Sequence, residues 1–131
     1  MARSHPRVGH QRHQPLNCRF RIDGELITTS DANTIFEAAR LAGKKIPGLC
    51  YMPGLTAVGA CRLCIVEVAG VNRLLPACTT PVQDGMAVTT RSQKIDSYRR
   101  IALELLFSER NHICAVCVSN GHCELQSLAI E

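Results

Sequence analysis

The chain has no tryptophan, and aromatic residues make up only 4% of its 131 residues. Its core must therefore be built mainly from Leu, Ile, Val and Ala, and the hydrophobic content of 46% is enough for a small core. No apolar run approaches the ~20 residues that a membrane span needs. The N-terminus also lacks the apolar region of a signal peptide. These absences predict a cytoplasmic protein that does not insert into a membrane.

The net charge of +4 is unevenly distributed. Arg3, Arg7 and Arg12 supply three of these charges, and no acidic residue precedes Asp23. The rest of the chain is close to neutral, which does not favour a nucleic-acid partner. Residues 1–16 show no periodicity and predict a disordered basic tail. The alternative interpretation of this tail is a docking arm or a metal-binding tract.

Eight cysteines are many for a chain without a secretion signal. A disulfide scaffold belongs to secreted proteins, so we expect a reducing compartment and metal ligation. Cys50, Cys61, Cys64 and Cys78 are separated by ten, two and thirteen residues. The loop that carries the close pair contains Gly54, Gly59 and Ala60, and such small residues let the backbone approach inorganic sulfides.

This first cysteine group predicts a rhombic two-iron cluster. Its spacing is related to the plant-type C-x4-C-x2-C…C pattern, although the first gap is longer. A structural zinc site is the main alternative, but zinc ligands usually come in two short pairs and here only one pair is short. Disulfides are a further alternative.

A second cysteine group follows near the C-terminus. Cys114 and Cys117 form a C-x2-C pair, and Cys123 lies five residues beyond it. A four-iron cube needs a fourth ligand, for which His112 and His122 are the local candidates. We favour His112, because His122 adjoins Cys123 and neighbouring ligands seldom reach one site well. A Cys3His zinc site is the alternative here.

The remaining patterns predict an α+β fold. Asp23-Gly24 is a hairpin signal between strands 18–22 and 25–28, and Cys18 lies on the apolar face, as a small hydrophobe rather than a ligand. A helix is expected from an N-cap at Asn33 to Gly43. Further strands are expected at 65–69, 73–78 and 86–90, with Pro76 at a sheet edge or bulge. This is the element order of a β-grasp ferredoxin.

A second helix is predicted from about Ser92 to Phe107. One side of it carries an apolar stripe of Ile95, Tyr98, Ala102 and Leu105, and the other side carries Arg99, Arg100 and Glu104. Such a stripe predicts a helix packed on the ferredoxin-like domain or on a partner. The helix would position the second cysteine group.

Both cysteine groups, taken with this helix, resemble a known family. The motifs are C-x10-C-x2-C-x13-C, Tyr98-Arg-Arg, Leu105-Leu-Phe-Ser-Glu, and His112-x-Cys-x2-Cys-x5-Cys-Glu-Leu-Gln. They resemble the diaphorase U (gamma) subunit of bidirectional NAD(P)-linked nickel–iron hydrogenases. They are also similar to the N-terminal region of the large iron–sulfur subunit of respiratory complex I. The resemblance covers roughly residues 17–131.

The resemblance implies two clusters and two regions. A 2Fe-2S cluster would be held by Cys50, Cys61, Cys64 and Cys78 in a ferredoxin-type domain over residues 17–91. A 4Fe-4S cluster would be held by His112, Cys114, Cys117 and Cys123 in a helical segment over residues 92–131. The complex I pattern has its histidine four residues before the first cysteine, where this chain has Arg110. The nearer His112 is the hydrogenase-type arrangement.

The implied function is an electron-transfer subunit without catalytic residues of its own. It would relay electrons between a flavin-bearing NAD(P)H-oxidising diaphorase subunit and a nickel–iron hydrogenase module. A complex I type subunit is the alternative, and a zinc-dependent interaction module is the alternative from another class. Hydrogenase subunits of this type continue into a domain with two more 4Fe-4S clusters. We therefore expect either a fragment or a short relay subunit.

Overall fold

A computed structural model describes residues 17–130. Within them the strands are β1 Cys18–Ile22, β2 Glu25–Thr29, β3 Ile65–Val68, β4 Leu75–Pro76 and β5 Ala87–Thr89. The α-helices are α1 Ile35–Leu41, α2 Gln93–Ser108 and α3 Glu124–Ile130, and a 3-10 turn lies at Cys114–Val116. The predicted tail over residues 1–16 lies outside the described residues. No helix in the described part is both long and apolar enough to cross a bilayer.

The five strands form one mixed sheet in the order β2-β1-β5-β3-β4. β1 pairs in parallel with β5, and the other neighbours pair antiparallel. This mixed sheet confirms the predicted α+β, ferredoxin-like fold. Pro76 lies on the edge strand β4, as predicted, because a residue without an N–H cannot serve an inner strand.

The strand predicted over 73–78 is shorter than expected and covers only Leu75–Pro76. The Pro76 carbonyl accepts hydrogen bonds from the backbone N–H groups of Thr79 and Thr80 at 3.2 and 3.1 Å, and from the Thr80 hydroxyl at 2.8 Å. These bonds turn the chain directly after Pro76. The turn ends β4 and brings the following residues to the start of α1, where the Phe36 and Ile35 N–H groups donate to the Ala77 and Thr80 carbonyls.

The β1–β2 turn is confirmed at Asp23-Gly24. Both residues have positive φ values, 52° and 83°, as a type I′ hairpin requires. The Asp23 carboxylate accepts hydrogen bonds from the Thr90 N–H at 2.7 Å and from the Thr90 hydroxyl at 2.6 Å. The hairpin is therefore tied to the chain just beyond β5.

Helix α1 begins one residue later than predicted. Its N-cap is Thr34, whose hydroxyl accepts from the Glu37 N–H, while the Glu37 carboxylate accepts from the N–H groups of Asn33 and Thr34. Asn33 as N-cap was wrong because this reciprocal capping box needs Glu or Gln three residues after the cap. Gly43 follows the C-cap with a φ of 71°, as predicted.

The core lies between α1 and the sheet. Its fully buried members include Phe20, Ile22, Ile35, Ala38, Ala39, Val66 and Val88 from β1, α1, β3 and β5, and Cys64, Ala77 and Cys78 from the segments beside β3 and β4. Cys18 is half-buried and packs against this core. Burial first, and then the charge of Asp84, raises the pKa of the Cys18 thiol. Cys18 therefore has the surroundings of a small hydrophobe.

Helix α2 has the predicted extent, and the Ser92 hydroxyl caps it by accepting from the Ile95 N–H at 3.2 Å. Its predicted apolar stripe is only partly right. Ile95 is fully buried, but Tyr98 and Leu105 are more than half exposed. Arg99, predicted on the polar side, is buried against the chain that enters β3. The helix is therefore rotated toward its arginine side.

Candidate metal centres

The first cysteine group lies where three segments meet. Cys50 and Cys61 belong to the loop between α1 and β3, Cys64 immediately precedes β3, and Cys78 follows β4. Cys64 and Cys78 are each only 1% exposed, whereas Cys50 and Cys61 are partly buried. The Ala77 N–H donates to the Cys64 carbonyl at 2.8 Å, so the segments of the two buried cysteines lie side by side.

Backbone N–H groups point at the sulfurs of the partly buried pair. The Leu49 N–H donates to Cys61 Sγ at 3.4 Å, and the Cys61 N–H donates to Cys50 Sγ at 3.5 Å. Burial alone would raise the pKa of Cys61, but hydrogen bonds from Leu49 and other neighbouring groups outweigh it and lower this pKa. Such bonds stabilise negative charge on sulfur.

Cys78 has the opposite tendency. Burial, then the hydrogen bond with Cys64 and the nearby charges of Cys64, Cys50 and Cys61, together raise the pKa of its thiol to about 12. The four sulfurs are thus close enough to repel one another as thiolates. Four thiolates this close together need positive charge between them. A coordinated metal supplies that charge and deprotonates the thiols that bind it.

The loop around these cysteines runs close to other parts of the chain. Gly59 has a φ of 63°, and a Cβ on it would lie 3.2 Å from the Thr79 side chain. A Cβ on Gly48 would lie 3.2 Å from the Phe36 ring. Arg62, between Cys61 and Cys64, has a φ of 58°, which is uncommon for a residue with a side chain. The sequence interpretation missed Arg62, because no local signal marks this conformation.

The donor set of the first group fits a two-iron cluster. Four soft thiol ligands suit iron–sulfur chemistry, which takes two thiolates at each iron. Among residues 17–130, no group of three or more His, Cys, Asp or Glu side chains is arranged so that it could hold a single metal ion. The assignment of Cys50, Cys61, Cys64 and Cys78 as ligands stays a prediction.

The second cysteine group lines a cavity of about 290 Å³ between the end of α2 and α3. Cys114 begins the 3-10 turn, Cys117 follows it, and Cys123 immediately precedes α3. Gln126 on α3 braces the intervening loop by accepting from the Gly121 N–H and donating to the Asn120 side chain, each at 3.0 Å. The loop thus brings three thiols to one cavity.

His112 lines the same cavity as the three cysteines. Its ring packs edge-on against Phe107 at the end of α2, with ring centroids 5.0 Å apart. The residues that line this cavity do not include His122. Three thiols and one imidazole around one cavity fit the donor set of the second cluster, and the choice of His112 as its fourth ligand stays a prediction.

The two cysteine groups differ in exposure. Cys117 is exposed and Cys114 and Cys123 are partly buried, in contrast to the buried Cys64 and Cys78. Val116 and Val118 beside the second group are 80% and 101% exposed. The first group is therefore enclosed by its own domain, whereas the wall of the second group faces outward.

Arg99 is a second residue near the cysteines that the sequence interpretation missed. It is only 8% exposed, and its guanidinium donates to the carbonyls of Leu63 and Ile65, which flank Cys64. Burial lowers the pKa of Arg99, while the negative charges of Asp96 and Cys64 oppose the shift. Its position depends on residues more than thirty positions away, so helical periodicity could not reveal it.

Residues 17–93 match a family described as the 2Fe-2S iron-sulfur cluster binding domain. The chain belongs to that family. Beyond this domain, residues 99–131 match the NADH-ubiquinone oxidoreductase-G iron-sulfur binding region. The two matches indicate a 2Fe-2S cluster and a 4Fe-4S cluster, as the resemblance implied, and they favour iron–sulfur chemistry over the zinc alternative. The predicted boundary at residues 91 and 92 stays a prediction.

Relatives of this chain include subunits of larger enzymes. It is 44% identical over 106 residues to the NADPH-Fe(3+) oxidoreductase subunit alpha of Geobacter sulfurreducens, covering 81% of this chain and 13% of the relative. It is 34% identical over 116 residues to the NAD-reducing hydrogenase HoxS subunit gamma of Cupriavidus necator, covering 88% of this chain and 49% of the relative.

A solved structure of an NAD+-reducing NiFe hydrogenase in the H2-reduced state is also similar. The TM-score is 0.81 and the sequence identity is 41%, over 88% of this chain and 48% of that chain. This chain therefore spans about half or less of the length of these relatives. Their shared regions confirm the predicted ferredoxin-like fold with an adjoining 4Fe-4S region.

Proposed function

We propose that this chain is an electron-transfer subunit that relays single electrons between an NAD(P)H-oxidising flavin subunit and a nickel–iron hydrogenase module. The observation that carries the proposal is the pair of thiol-lined sites linked by α2. Arg99 of this helix contacts the chain beside Cys64, and Phe107 contacts His112. Two redox sites on one short chain suit a relay and need no substrate pocket.

In this proposal Cys50, Cys61, Cys64 and Cys78 hold the 2Fe-2S cluster, and His112, Cys114, Cys117 and Cys123 hold the 4Fe-4S cluster. When bound, each cluster accepts and releases one electron at a time. Burial of Cys64 and Cys78 excludes water from one side of the first site. The N–H groups of Leu49 and Cys61 offset negative charge on sulfur.

The imidazole proposed for the second site has a consequence for potential. A neutral histidine in place of a thiolate lowers the negative charge around the iron, so it favours the reduced state, as in Rieske centres. The contact between Phe107 and His112 restrains the ring at the cavity. We therefore expect the second site to have a higher potential than the same site with four thiolates.

The partners and the compartment are part of the same proposal. Ile113, Val116 and Val118 leave apolar surface exposed beside the second site, and such surface commonly marks an interface. We infer that a subunit of the complex covers it and that catalysis belongs to the complex. All eight cysteines are free, which suits a reducing compartment such as the cytoplasm.

A complex I type subunit is the second candidate. The match of residues 99–131 to the NADH-ubiquinone oxidoreductase-G region favours it. The hydrogenase candidate is supported by His112, two residues before Cys114, with Arg110 at the position of the complex I histidine. Purification of the native complex and identification of its other subunits distinguishes the two, because only one of them contains a nickel–iron subunit.

The relay itself is tested on protein prepared without oxygen. We expect acid-labile sulfide and two distinguishable EPR signals after stepwise reduction. Colourless protein that contains zinc and no labile sulfide would disprove the relay. Partners without any redox centre would disprove the proposed place in a hydrogenase.

A further inference from the structure

Arg99 is an unusual residue to bury in so small a domain. Arg99 is 8% exposed, and its Nε and Nη2 groups donate to the carbonyls of Leu63 and Ile65 at 2.9 and 3.0 Å. Two parallel bonds from the planar guanidinium fix the helix against the chain that enters β3. Cys64 lies between these two acceptors and is 1% exposed. Arg99 therefore grips the backbone on both sides of that cysteine.

The charge of Arg99 is poorly balanced by its nearest partners. Both carbonyls are neutral and satisfy donors without cancelling the charge. The closest carboxylate oxygen, of Asp96, is 3.9 Å from Nη1, and the Asp96 side chain is 59% exposed. A buried cation is costly unless negative charge lies near it. Cys64, between the two acceptor carbonyls, is the buried side chain beside this contact that can carry negative charge, as a thiolate bound to iron.

We propose that Arg99 is a positioning residue of the first cluster, which holds Cys64 in place through two backbone hydrogen bonds and raises the reduction potential of that cluster by its buried charge. The proposal rests on the proposed ligation by Cys64. Reduction adds one negative charge to the cluster, and a nearby cation in a medium of low dielectric constant favours the more negative state. An exposed arginine has little such effect because water and salt screen it.

The test compares two neutral substitutions on the same helix in the full chain with both clusters. Arg99→Met removes the buried charge, and Arg100→Met removes the exposed charge of its neighbour, so both variants have the same net charge. We expect Arg99→Met to lower the ratio of reduced to oxidised first cluster about tenfold at a fixed potential, about 59 mV for one electron. Arg100→Met is expected to leave that ratio within about twofold, since water screens its charge.

Arg99→Lys separates charge from geometry, because lysine keeps the charge but lacks the planar fork. We expect Arg99→Lys to leave the reduction potential of the first cluster close to the wild-type value and to change the EPR line shape of that cluster. The proposal is overturned if the first cluster has the same reduction potential in Arg99→Met and Arg100→Met. It is also overturned if Arg99→Lys lowers that potential as much as Arg99→Met does. If Arg99→Met does not load the cluster, Arg99→Gln, which is neutral and retains a donor, takes its place.

Should neither neutral variant load, Arg99→Lys alone decides. A tenfold loss of the reduced-to-oxidised ratio then overturns the role of charge, and a ratio near wild type supports it. Failure of the proposed function has a different signature. It would appear as wild-type protein without labile sulfide, whereas failure of this inference would appear as intact clusters with an unchanged potential.

Discussion

Burial and hydrogen bonding give the cysteines different surroundings. Cys64 and Cys78 are enclosed, Cys61 accepts backbone hydrogen bonds, and Cys117 is exposed on the outer loop. Cys18 packs against the core as a small hydrophobe. The candidate ligands at the second site are less buried than those at the first site, so burial says less about which residues bind there. The histidine there is consequently the residue that most needs a direct test.

We expect His112→Ala to remove the EPR signal of the 4Fe-4S cluster and to leave that of the 2Fe-2S cluster unchanged. The reason is that the cavity would retain three thiols and lose its imidazole. EPR of the reduced protein and iron content per chain measure the loss.

His122→Ala is the matched control, because His122 lies on the same loop but does not line the cavity. If the control lost the 4Fe-4S signal and His112→Ala kept it, the assignment of the fourth ligand would be reversed.

At the scale of elements, the sheet is held by ties between segments far apart in the chain. The β1–β2 turn is joined to the residue after β5 through Asp23 and Thr90, and Thr90 is 8% exposed. Because β5 is the inner strand between β1 and β3, this tie stabilises the middle of the sheet. The loop that carries Cys50, Cys61 and Cys64 begins at α1, which packs on that sheet, and ends at β3, which belongs to it.

Asp23→Ala is expected to lower the free energy of unfolding by about 2 kcal/mol, since it removes two hydrogen bonds to a carboxylate and places alanine at positive φ. Denaturant titration under anaerobic conditions measures the change. Asp23→Asn keeps an acceptor and tolerates the turn, so it should lose less than half as much. Equal losses in the two variants would contradict the role of these bonds.

At the scale of the whole molecule, the two proposed clusters lie in unequal settings. The 2Fe-2S site is enclosed by the sheet domain, and the 4Fe-4S site lies on a loop with exposed apolar residues. A free carrier usually steers brief encounters with strong charge, whereas the body of this chain is near neutral. The arrangement favours a permanent subunit whose outer loop is covered by a partner.

We expect Val118→Asp to weaken binding of the partner subunit about tenfold, the effect of losing one well-buried interface contact. Copurification with the native complex and a binding titration measure it. Leu26→Asp is the control, because Leu26 is also exposed but lies on β2, the edge strand opposite β4. Loss of iron from Val118→Asp, or equal weakening by both variants, would argue against a covered loop.

Local signals predicted most of the elements. Asp23-Gly24 marked the hairpin because few residues adopt positive φ, and Pro76 marked the edge strand because it lacks an N–H. The cap of α1 was misplaced by one residue, since Asn33 and Thr34 are both good caps and only Glu37 decides between them. The length of β4 was also misjudged, because the bonds that turn the chain after Pro76 form only on folding.

The sequence by itself determined the number and spacing of the thiols, and with them the two proposed clusters, because ligand chemistry depends on residue type and reach along the chain. Only the tertiary structure decided which thiols are enclosed and which face of α2 is buried. Arg99 shows the physical reason. Its two acceptors lie 36 and 34 positions away, and a charged side chain becomes a buried one only where distant carbonyls meet its donors.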